Sequence, residues 1–348
     1  MQLPHFLGTR LPLIQAPMAG VQGSALAAAV SNAGGLGSLP CAMLSPQQML
    51  DELTRLRAAT DRPYNVNFFC HAPPTPDTAH EARWRGALAP YYAEYGIDAT
   101  TIAAGPGRNP FSDETADILE AFRPAVVSFH FGLPSRALLD RVKAWGAKVL
   151  SSATTVDEAM WLQDHGADAI IAQGLEAGGH RGMFLSNDLS TQVGTFALLP
   201  QIVQAVQLPV IAAGGIADAR GVSAAMGLGA IAVQVGTAYL LCPEATTSPL
   251  HRAALQSDAA RHTALTNLFT GRPARGIVNR VMRELGPMSD APPLFPLATS
   301  AIAPLRAQAE RAGSSDFSPL WSGQNASGCK AIPAATLTLE LASLLSPR

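Results

Sequence analysis

The chain has 348 residues, of which 48% are apolar and 14% are charged, and its formal net charge is −2. The charged share lies well below the roughly 25% of an average globular chain. This composition is typical of a compact protein with a large buried core and argues against disorder. No block of like charges occurs, so nothing in the composition indicates nucleic-acid binding or a basic membrane-binding surface.

The start of the chain and its hydropathy give no indication of export or membrane insertion. The first twenty residues lack a basic region followed by a long apolar run, so we expect no signal peptide. No uninterrupted apolar stretch reaches the roughly eighteen residues of a transmembrane helix. The four cysteines (Cys41, Cys70, Cys242 and Cys329) are far apart in the sequence, which favours reduced thiols. We therefore expect a cytoplasmic protein with no membrane partner.

Short apolar or β-branched runs alternate with helical patterns along the first two thirds of the chain. Strands are predicted at 11–17, 36–40, 64–69, 125–132, 148–153, 169–174, 209–215 and 230–237. One of the intervening helices is predicted to have Ser45 as its N-cap and Pro46 at its first position. Such alternation implies parallel strands. Eight strand–helix units favour a closed (β/α)₈ TIM barrel over an open sheet, giving an α/β fold.

Two segments exceed what the barrel needs. Residues 70–123 are rich in Pro, Ala and aromatic side chains and are predicted to insert extra helices after the third strand. From 239 to 348 the strand–helix rhythm stops, and we predict a C-terminal helical extension that either caps the barrel mouth or packs outside it. The predicted organisation is a cofactor-binding barrel at 1–238, with its insertion, followed by the extension at 239–348.

Glycines follow the last two predicted strands. Gly214 and Gly215 come just before a helix that Asp218 opens, and Gly236 lies next to Thr237. Barrels of this kind place their sites at the carboxyl ends of the strands, and glycine backbone with a helix N-terminus favours an anion. Two such adjacent loops predict a phosphate site rather than two tight turns. Because no Walker or dinucleotide-binding motif occurs, flavin mononucleotide (FMN) fits better than a nucleoside triphosphate or a nicotinamide dinucleotide.

Other strand ends offer contacts for the rest of such a cofactor. Ala16, Pro17 and Met18 follow the first strand and could lie along one edge of a flavin ring. Asn67 and Gln173 are amides at strand ends. They could bind the ring or the ribityl oxygens, or they could form hydrogen bonds only within the barrel.

The most informative stretch is "QGLEAGGHRG", which follows the sixth strand. It places His180 between glycines at the catalytic end, and imidazole can transfer protons near neutral pH. We predict His180 as the catalytic residue, with a structural loop histidine as the alternative. His130 and Arg181 are candidate substrate-binding residues, although His130 could lie inside the barrel and Arg181 could pair with an acid. His71 could line the mouth or support it. No metal-binding spacing such as His-Glu-x-x-His occurs, so we expect no metal.

Motifs spread over almost the whole chain resemble those of the nitronate monooxygenases, formerly called 2-nitropropane dioxygenases, of the bacterial class I type. The most specific are the "EAGGHRG" and "SFHFG" stretches together with the terminal "WSGQ". The full set of matching pieces is "PLIQAPMAG", "NVNFFCH", "VSFHFGLP", "AQGLEAGGHRG", "VIAAGGIADARG", "AVQVGTAYL", "NLFTGRPARGIVNR" and "LWSGQ".

The resemblance implies FMN-dependent oxidation of alkyl nitronates by dioxygen, with propionate 3-nitronate as the expected substrate and detoxification as the role. The products would be a carbonyl compound and nitrite or nitrate. His180 would be the active-site histidine, either as a donor to the nitronate or as a base on a neutral nitroalkane. The resemblance implies FMN contacts at Ala16, Pro17, Met18, Asn67, Gln173, Gly178, Gly215, Gln234, Val235, Gly236, Thr237 and Gln324. We add Gly179 and Gly214 to these candidate contacts.

Three alternatives share the barrel and the flavin. An NAD(P)H-dependent enoyl-acyl-carrier-protein reductase or an NADH:quinone reductase would let a nicotinamide reduce the flavin. A flavin-binding sensor would bind FMN without turning over any nitronate. The sequence is compatible with a monomer or a small homo-oligomer.

Overall fold

Eight parallel strands form the centre of the computed structural model, which describes residues 6–102 and 108–345. All eight predicted strands are present, most of them shorter than the apolar runs that predicted them. They are β1 (Leu13–Gln15), β2 (Gly37–Pro40), β3 (Tyr64–Phe69), β4 (Val126–His130), β5 (Lys148–Ala153), β6 (Ala169–Gln173), β8 (Val210–Ala213) and β9 (Ala232–Val235). A further short strand, β7 (Gly179–His180), lies outside this sheet.

The sheet closes on itself. Its strand order is β1-β9-β8-β6-β5-β4-β3-β2, so β1 and β2 are the two ends of the series. A parallel bridge joins Ile14 to Leu36 across this last gap. There the Leu36 N–H donates to Leu13 O at 2.8 Å, and the Gln15 N–H donates to Leu36 O at 2.9 Å. The predicted (β/α)₈ TIM barrel is therefore confirmed.

Among the described residues before position 238, seven helices pack around the barrel, and local sequence signals set several of their ends. They are α1 (Ser24–Asn32), α2 (Pro46–Ala59), α4 (Asp113–Phe122), α5 (Arg136–Ala144), α6 (Val156–Asp164), α7 (Thr195–Ala205) and α8 (Ala219–Gly227). Ser45 caps α2 in a capping box with Gln48, and Pro46 is at the first helical position, as predicted. Asp218 caps α8 by accepting from the Gly221 N–H at 2.8 Å.

The insertion and the extension pack on each other. Within the insertion, α4 takes the ordinary place of the third barrel helix, between α2 and α5. Among the described residues of the insertion, α3 (Thr78–Glu94) is then the one additional α-helix. The α3 helix packs on α11 (Ala298–Arg311) of the extension. Trp84 Nε1 donates to Ala298 O at 3.0 Å, and the Tyr92 hydroxyl donates to Ala301 O at 2.7 Å. Residues 103–107 of the predicted insertion lie outside the described residues.

The sequence predicted a helical extension, but the extension also contains strands. It contributes two strands, β10 (Thr263–Thr266) and β11 (Ala274–Ile277), and β11 pairs antiparallel with β7. Its other helices are α9 (Pro249–Gln256), α10 (Arg280–Glu284) and α12 (Ala334–Leu341). Short 3₁₀ turns cover Ala99–Thr101, Leu189–Thr191, Thr237–Leu241 and Asp258–Arg261. The domain boundary at 238 stays a prediction. Across 6–102 and 108–345, no helix is long and apolar enough to cross a membrane.

The contact between α1 and β2 leaves no room for a side chain at Gly37. A Cβ at this position would overlap the backbone of Ala27. We expect Gly37→Ala to lower the free energy of unfolding by about 2 kcal/mol, since overpacking a tight core typically costs 1–3 kcal/mol. Urea unfolding midpoints measure the effect. Gly86→Ala is the matched control, because a Cβ at this α3 position meets no atom within 4 Å and should be neutral or stabilising. Equal midpoints for the two variants would contradict this account.

Candidate functional site

A cavity of about 1350 Å³, including its open mouth, lies at the carboxyl ends of the barrel strands. Its walls come from the loops after the strands and from the extension. Most of the predicted cofactor residues line it. They are Ala16, Pro17, Met18, Asn67, Gln173, Gly178, Gly179, Gly214, Gly215, Gln234, Gly236 and Thr237. A single site therefore brings together twelve residues from six segments of the chain.

Two predicted cofactor residues do not point into this cavity. The Val235 side chain is buried in the apolar layer between strands and helices, because alternate residues of a strand face opposite sides. The Gln324 side chain is exposed, and its backbone N–H donates to Glu176 O at 2.9 Å. Its neighbours Gly323 and Asn325 line the cavity instead. Any FMN contact of Val235 or Gln324 would therefore involve the backbone, and both assignments stay predictions.

The glycine loops form one end of the cavity. Gly214 and Gly215 have φ values of +115° and +72°, a backbone region that other residues rarely adopt. They precede the N-terminus of α8, where the helix dipole favours negative charge. Within the described residues no acceptor takes the Gly215 N–H, while Asn325 Nδ2 donates to Gly215 O at 3.1 Å. This end of the cavity is therefore suited to a phosphate.

One polar side chain along the cavity, the amide of Gln234, has hydrogen-bonding capacity left for a ligand. The buried Gln234 Oε1 has no partner among the described residues, although buried amide oxygens are normally paired. A Cβ on Gly179 would meet no atom within 4 Å, so the bare backbone leaves open space beside the cavity. Asn67 is partly committed elsewhere, because its Nδ2 donates to Ser128 O at 3.1 Å and to Ser128 Oγ at 2.9 Å.

His180 is held from the barrel side by hydrogen bonds to its backbone. Gln173 Nε2 donates to His180 O at 3.0 Å, and Gln173 Oε1 accepts from the Gly182 N–H at 2.7 Å. His130 Nε2 lies 3.2 Å from the same carbonyl oxygen, and His130 Nδ1 lies 3.0 Å from Ser152 Oγ. Both ring nitrogens of His130 are therefore used within the protein, so its contacts fit a supporting role rather than the expected substrate binding.

The His180 imidazole lies in an aromatic part of the cavity. Its Nε2 is 2.9 Å from Thr270 Oγ1. Its ring centroid lies 5.3 Å from that of Phe295 and 5.6 Å from that of Trp321, both contributed by the extension. The rings of Phe69 and Phe131 lie at 6.2 and 6.1 Å. The imidazole is consequently bordered by apolar ring surface and fixed at one nitrogen.

Burial and nearby cations keep the cavity histidines neutral. Burial, with the guanidinium of Arg108 as the next cause, holds the pKa of His180 well below its ordinary value. Burial lowers the pKa of His130 to about 3 and that of His251 to about 4. A group whose pKa lies this far below neutrality is unprotonated at pH 7, so His180 is a neutral imidazole in this structure.

Arg181 does not reach the cavity, which corrects its expected role in substrate binding. Its side chain is completely buried on the opposite side of β7 from His180. The guanidinium donates to Gly174 O at 2.6 Å, to Gln173 O at 2.7 Å and to Gln192 Oε1 at 3.0 Å. It fixes the loop that carries His180 instead of meeting a ligand.

Several residues of the site did not stand out in the sequence. Arg108 reaches the cavity from the insertion, and His251 and Trp321 reach it from the extension. The "LWSGQ" motif contains Trp321 and the "NLFTGRPARGIVNR" motif contains Thr270, whereas Arg108 lies in a segment without a recognisable strand or helix pattern. His71 proves to be a support, since its Nε2 contacts Arg108 O at 2.9 Å.

Comparison with known proteins identifies the family. A sequence model of the family described as nitronate monooxygenase matches residues 2–343. A nitronate monooxygenase of Pseudomonas aeruginosa is 43% identical over 340 residues, which cover 97% of both chains. This chain belongs to the nitronate monooxygenase family. It is therefore an oxidoreductase, and the predicted family is confirmed.

Solved structures agree with this family membership. The nitroalkane oxidase of Streptomyces ansochromogenes superimposes with a TM-score of 0.90 and 39% sequence identity, covering 99% of this chain and 97% of that one. FabK from Thermotoga maritima gives a TM-score of 0.71 and 26% identity, covering 97% and 94%. The similarity to the nitroalkane oxidase is thus clearly the greater of the two.

The buried role of Arg181 predicts a loss of stability when its charge is removed. We expect Arg181→Met to lower the free energy of unfolding by about 3 kcal/mol, because buried carbonyls left without a donor cost roughly 1–3 kcal/mol each. Urea unfolding measures this change. The control, Arg220→Met, removes an exposed ion pair with Asp218 and should change stability by less than about 1 kcal/mol. An Arg181→Met protein of unchanged stability and higher KM would restore the substrate-binding role.

Proposed function

We propose that this protein uses FMN to oxidise alkyl nitronates with dioxygen, giving a carbonyl compound and nitrite or nitrate. The observation that carries the proposal is a single cavity with a phosphate-binding end and a neutral, fixed His180, in a member of the nitronate monooxygenase family. The reaction balances without another oxidant: one dioxygen converts one nitronate to carbonyl and nitrate, or two nitronates to two carbonyls and two nitrites. Detoxification of nitronates in the cytoplasm is the role we propose.

The residues present fit FMN. Gly214, Gly215 and the N-terminus of α8 would hold its phosphate, and the unpartnered Gln234 Oε1 would accept from a donor on the ring or ribityl chain. When bound, the flavin supplies the oxidation–reduction chemistry between substrate and dioxygen. The chain itself binds and orients the substrate and excludes water from its reacting carbon.

The hydrogen bonds of Thr270 select the tautomer of His180. Thr270 Oγ1 lies 2.9 Å from His180 Nε2 and 3.4 Å from Arg272 O. The carbonyl oxygen can only accept, so the hydroxyl donates to it and accepts from Nε2–H. Nδ1 then carries a lone pair, and His180 is a general base for a neutral nitroalkane rather than a cationic donor to a nitronate. The name of the similar nitroalkane oxidase supports turnover of the neutral form.

Reduction of the flavin without oxygen distinguishes a nitronate-oxidising enzyme from a nicotinamide-dependent reductase. Without oxygen, we expect propionate 3-nitronate to bleach the flavin absorbance of the purified protein quickly, and NADH or NADPH to bleach it slowly or not at all. Stopped-flow absorbance compares the rates. Fast bleaching by NADH would assign the protein to the FabK-like alternative, and bound FMN without any nitronate turnover would indicate a sensor.

Replacing His180 tests its role as a base. We expect His180→Ala to retain FMN but to lower kcat/KM for a neutral nitroalkane by about 100-fold or more, as general bases typically contribute 10²–10⁴-fold. The preformed nitronate needs no deprotonation, so its kcat/KM should fall less than about tenfold. Steady-state oxygen uptake with both forms of 1-nitropropane measures the difference. Equal losses for the two forms would show that His180 acts on the nitronate itself.

A further inference from the structure

A second functional group of the cavity comes from the insertion. Arg108 lines the same cavity as His180. Its guanidinium carbon lies 5.5 Å from the centroid of the Phe295 ring, and the His180 ring lies 5.3 Å from that centroid. The two side chains therefore pack against one aromatic ring, which puts the cation and the imidazole within reach of a single small substrate.

Apart from its contact with the Phe295 ring, the Arg108 guanidinium has no ion pair or hydrogen bond among the described residues. Burial lowers the pKa of Arg108 to about 10, so the guanidinium stays charged at neutral pH. Within 6–102 and 108–345, no carboxylate lies within 4.0 Å of it and no acceptor takes a hydrogen bond from it. Arg181 differs, because carbonyl and amide oxygens take its hydrogen bonds. A half-buried guanidinium that lines the cavity and lacks such partners keeps its donors available to a ligand.

A hydrogen bond to the backbone of Arg108 fixes the position of this residue at the cavity. His71 Nε2 lies 2.9 Å from Arg108 O and donates to it, since a carbonyl oxygen can only accept. The His71 ring is itself packed at 4.8 Å from that of Phe295 and at 6.4 Å from that of Phe69. The guanidinium is thus presented from an anchored residue next to the aromatic part of the cavity.

The anion that Arg108 binds is not the cofactor phosphate. The glycine loops that suit a phosphate follow β8 and β9, whereas Phe295, against which Arg108 packs, also contacts His71 after β3 and Phe131 after β4. In the strand order, β3 and β4 are separated from β8 and β9 by other strands on both sides. The two positive regions therefore lie at different parts of the cavity rim.

We propose that Arg108 is a specificity-determining residue that binds a carboxylate carried by the nitronate substrate. Guanidinium groups bind carboxylates through two parallel hydrogen bonds, which gives orientation as well as affinity. Held at the carboxylate, the substrate directs its nitronate end toward His180 and the flavin. This inference rests on the proposed function and adds a residue to it: Arg108 would hold the carboxylate of propionate 3-nitronate, a contact that a simple alkyl nitronate cannot make.

Matched substrates test the inference. We expect Arg108→Gln to raise KM for propionate 3-nitronate by about tenfold or more, since a hydrogen bond to a charged group commonly contributes this much. KM for propyl-1-nitronate, which has three carbons and no carboxylate, should change less than about twofold. Arg108→Lys, which keeps the charge, should recover part of the loss. Arg83→Gln, an exposed change of equal charge on α3, is the control and should alter neither KM.

A binding measurement keeps this test independent of turnover. Calorimetric titration with 3-nitropropionate and with 1-nitropropane should show that Arg108→Gln weakens only the carboxylate ligand, by about tenfold. Equal changes for both ligands, or none for either, would overturn the role of Arg108. If the wild-type protein oxidised neither nitronate, the proposed function would fail, while the titration would still decide whether Arg108 binds a carboxylate.

Discussion

The position of His180 depends on a buried guanidinium that lies outside the cavity. Arg181 donates to the carbonyl oxygens of Gln173 and Gly174, and the Gln173 side chain bonds the backbone on both sides of Arg181. These bonds lie in a low-dielectric interior, where charge-assisted hydrogen bonds are strong and their loss is costly. The loop that carries the imidazole is therefore tied to the end of β6, although it contains four glycines and could otherwise adopt many conformations.

Burial and nearby cations also determine the electrostatics of the cavity. The half-buried cations Arg108 and Arg272 add to desolvation in lowering the pKa of His180. The same cations make the cavity favourable for an anion. One arrangement thus has two consequences that suit nitronate chemistry: the substrate is attracted as an anion, and the imidazole beside it stays unprotonated. A carboxylate at the place of Arg108 would repel an anionic substrate and would remove one of the causes of the low His180 pKa, although burial would remain the largest.

The barrel and the location of the site could be predicted from sequence because both depend on local patterns. Eight apolar runs gave the strands, and parallel strands bring their carboxyl ends to one rim. The role of Arg181 was misjudged because β7 was missed. Consecutive residues of a strand point to opposite sides, so the neighbour of His180 had to face away from the cavity. That strand exists through pairing with β11, about ninety residues further along the chain, and two residues alone carry no strand pattern.

The cavity residues that were not predicted come from the insertion and the extension rather than from the barrel loops. The glycine loops and His180 directly follow barrel strands. Their place at the catalytic rim can therefore be recognised once the strands have been predicted. Arg108, Thr270 and Phe295 come from the insertion and the extension, where tertiary contacts rather than local patterns decide which side chains meet. If these segments select the substrate, a change of substrate needs no change in the barrel. Sequence then predicts the type of reaction more readily than the molecule that undergoes it.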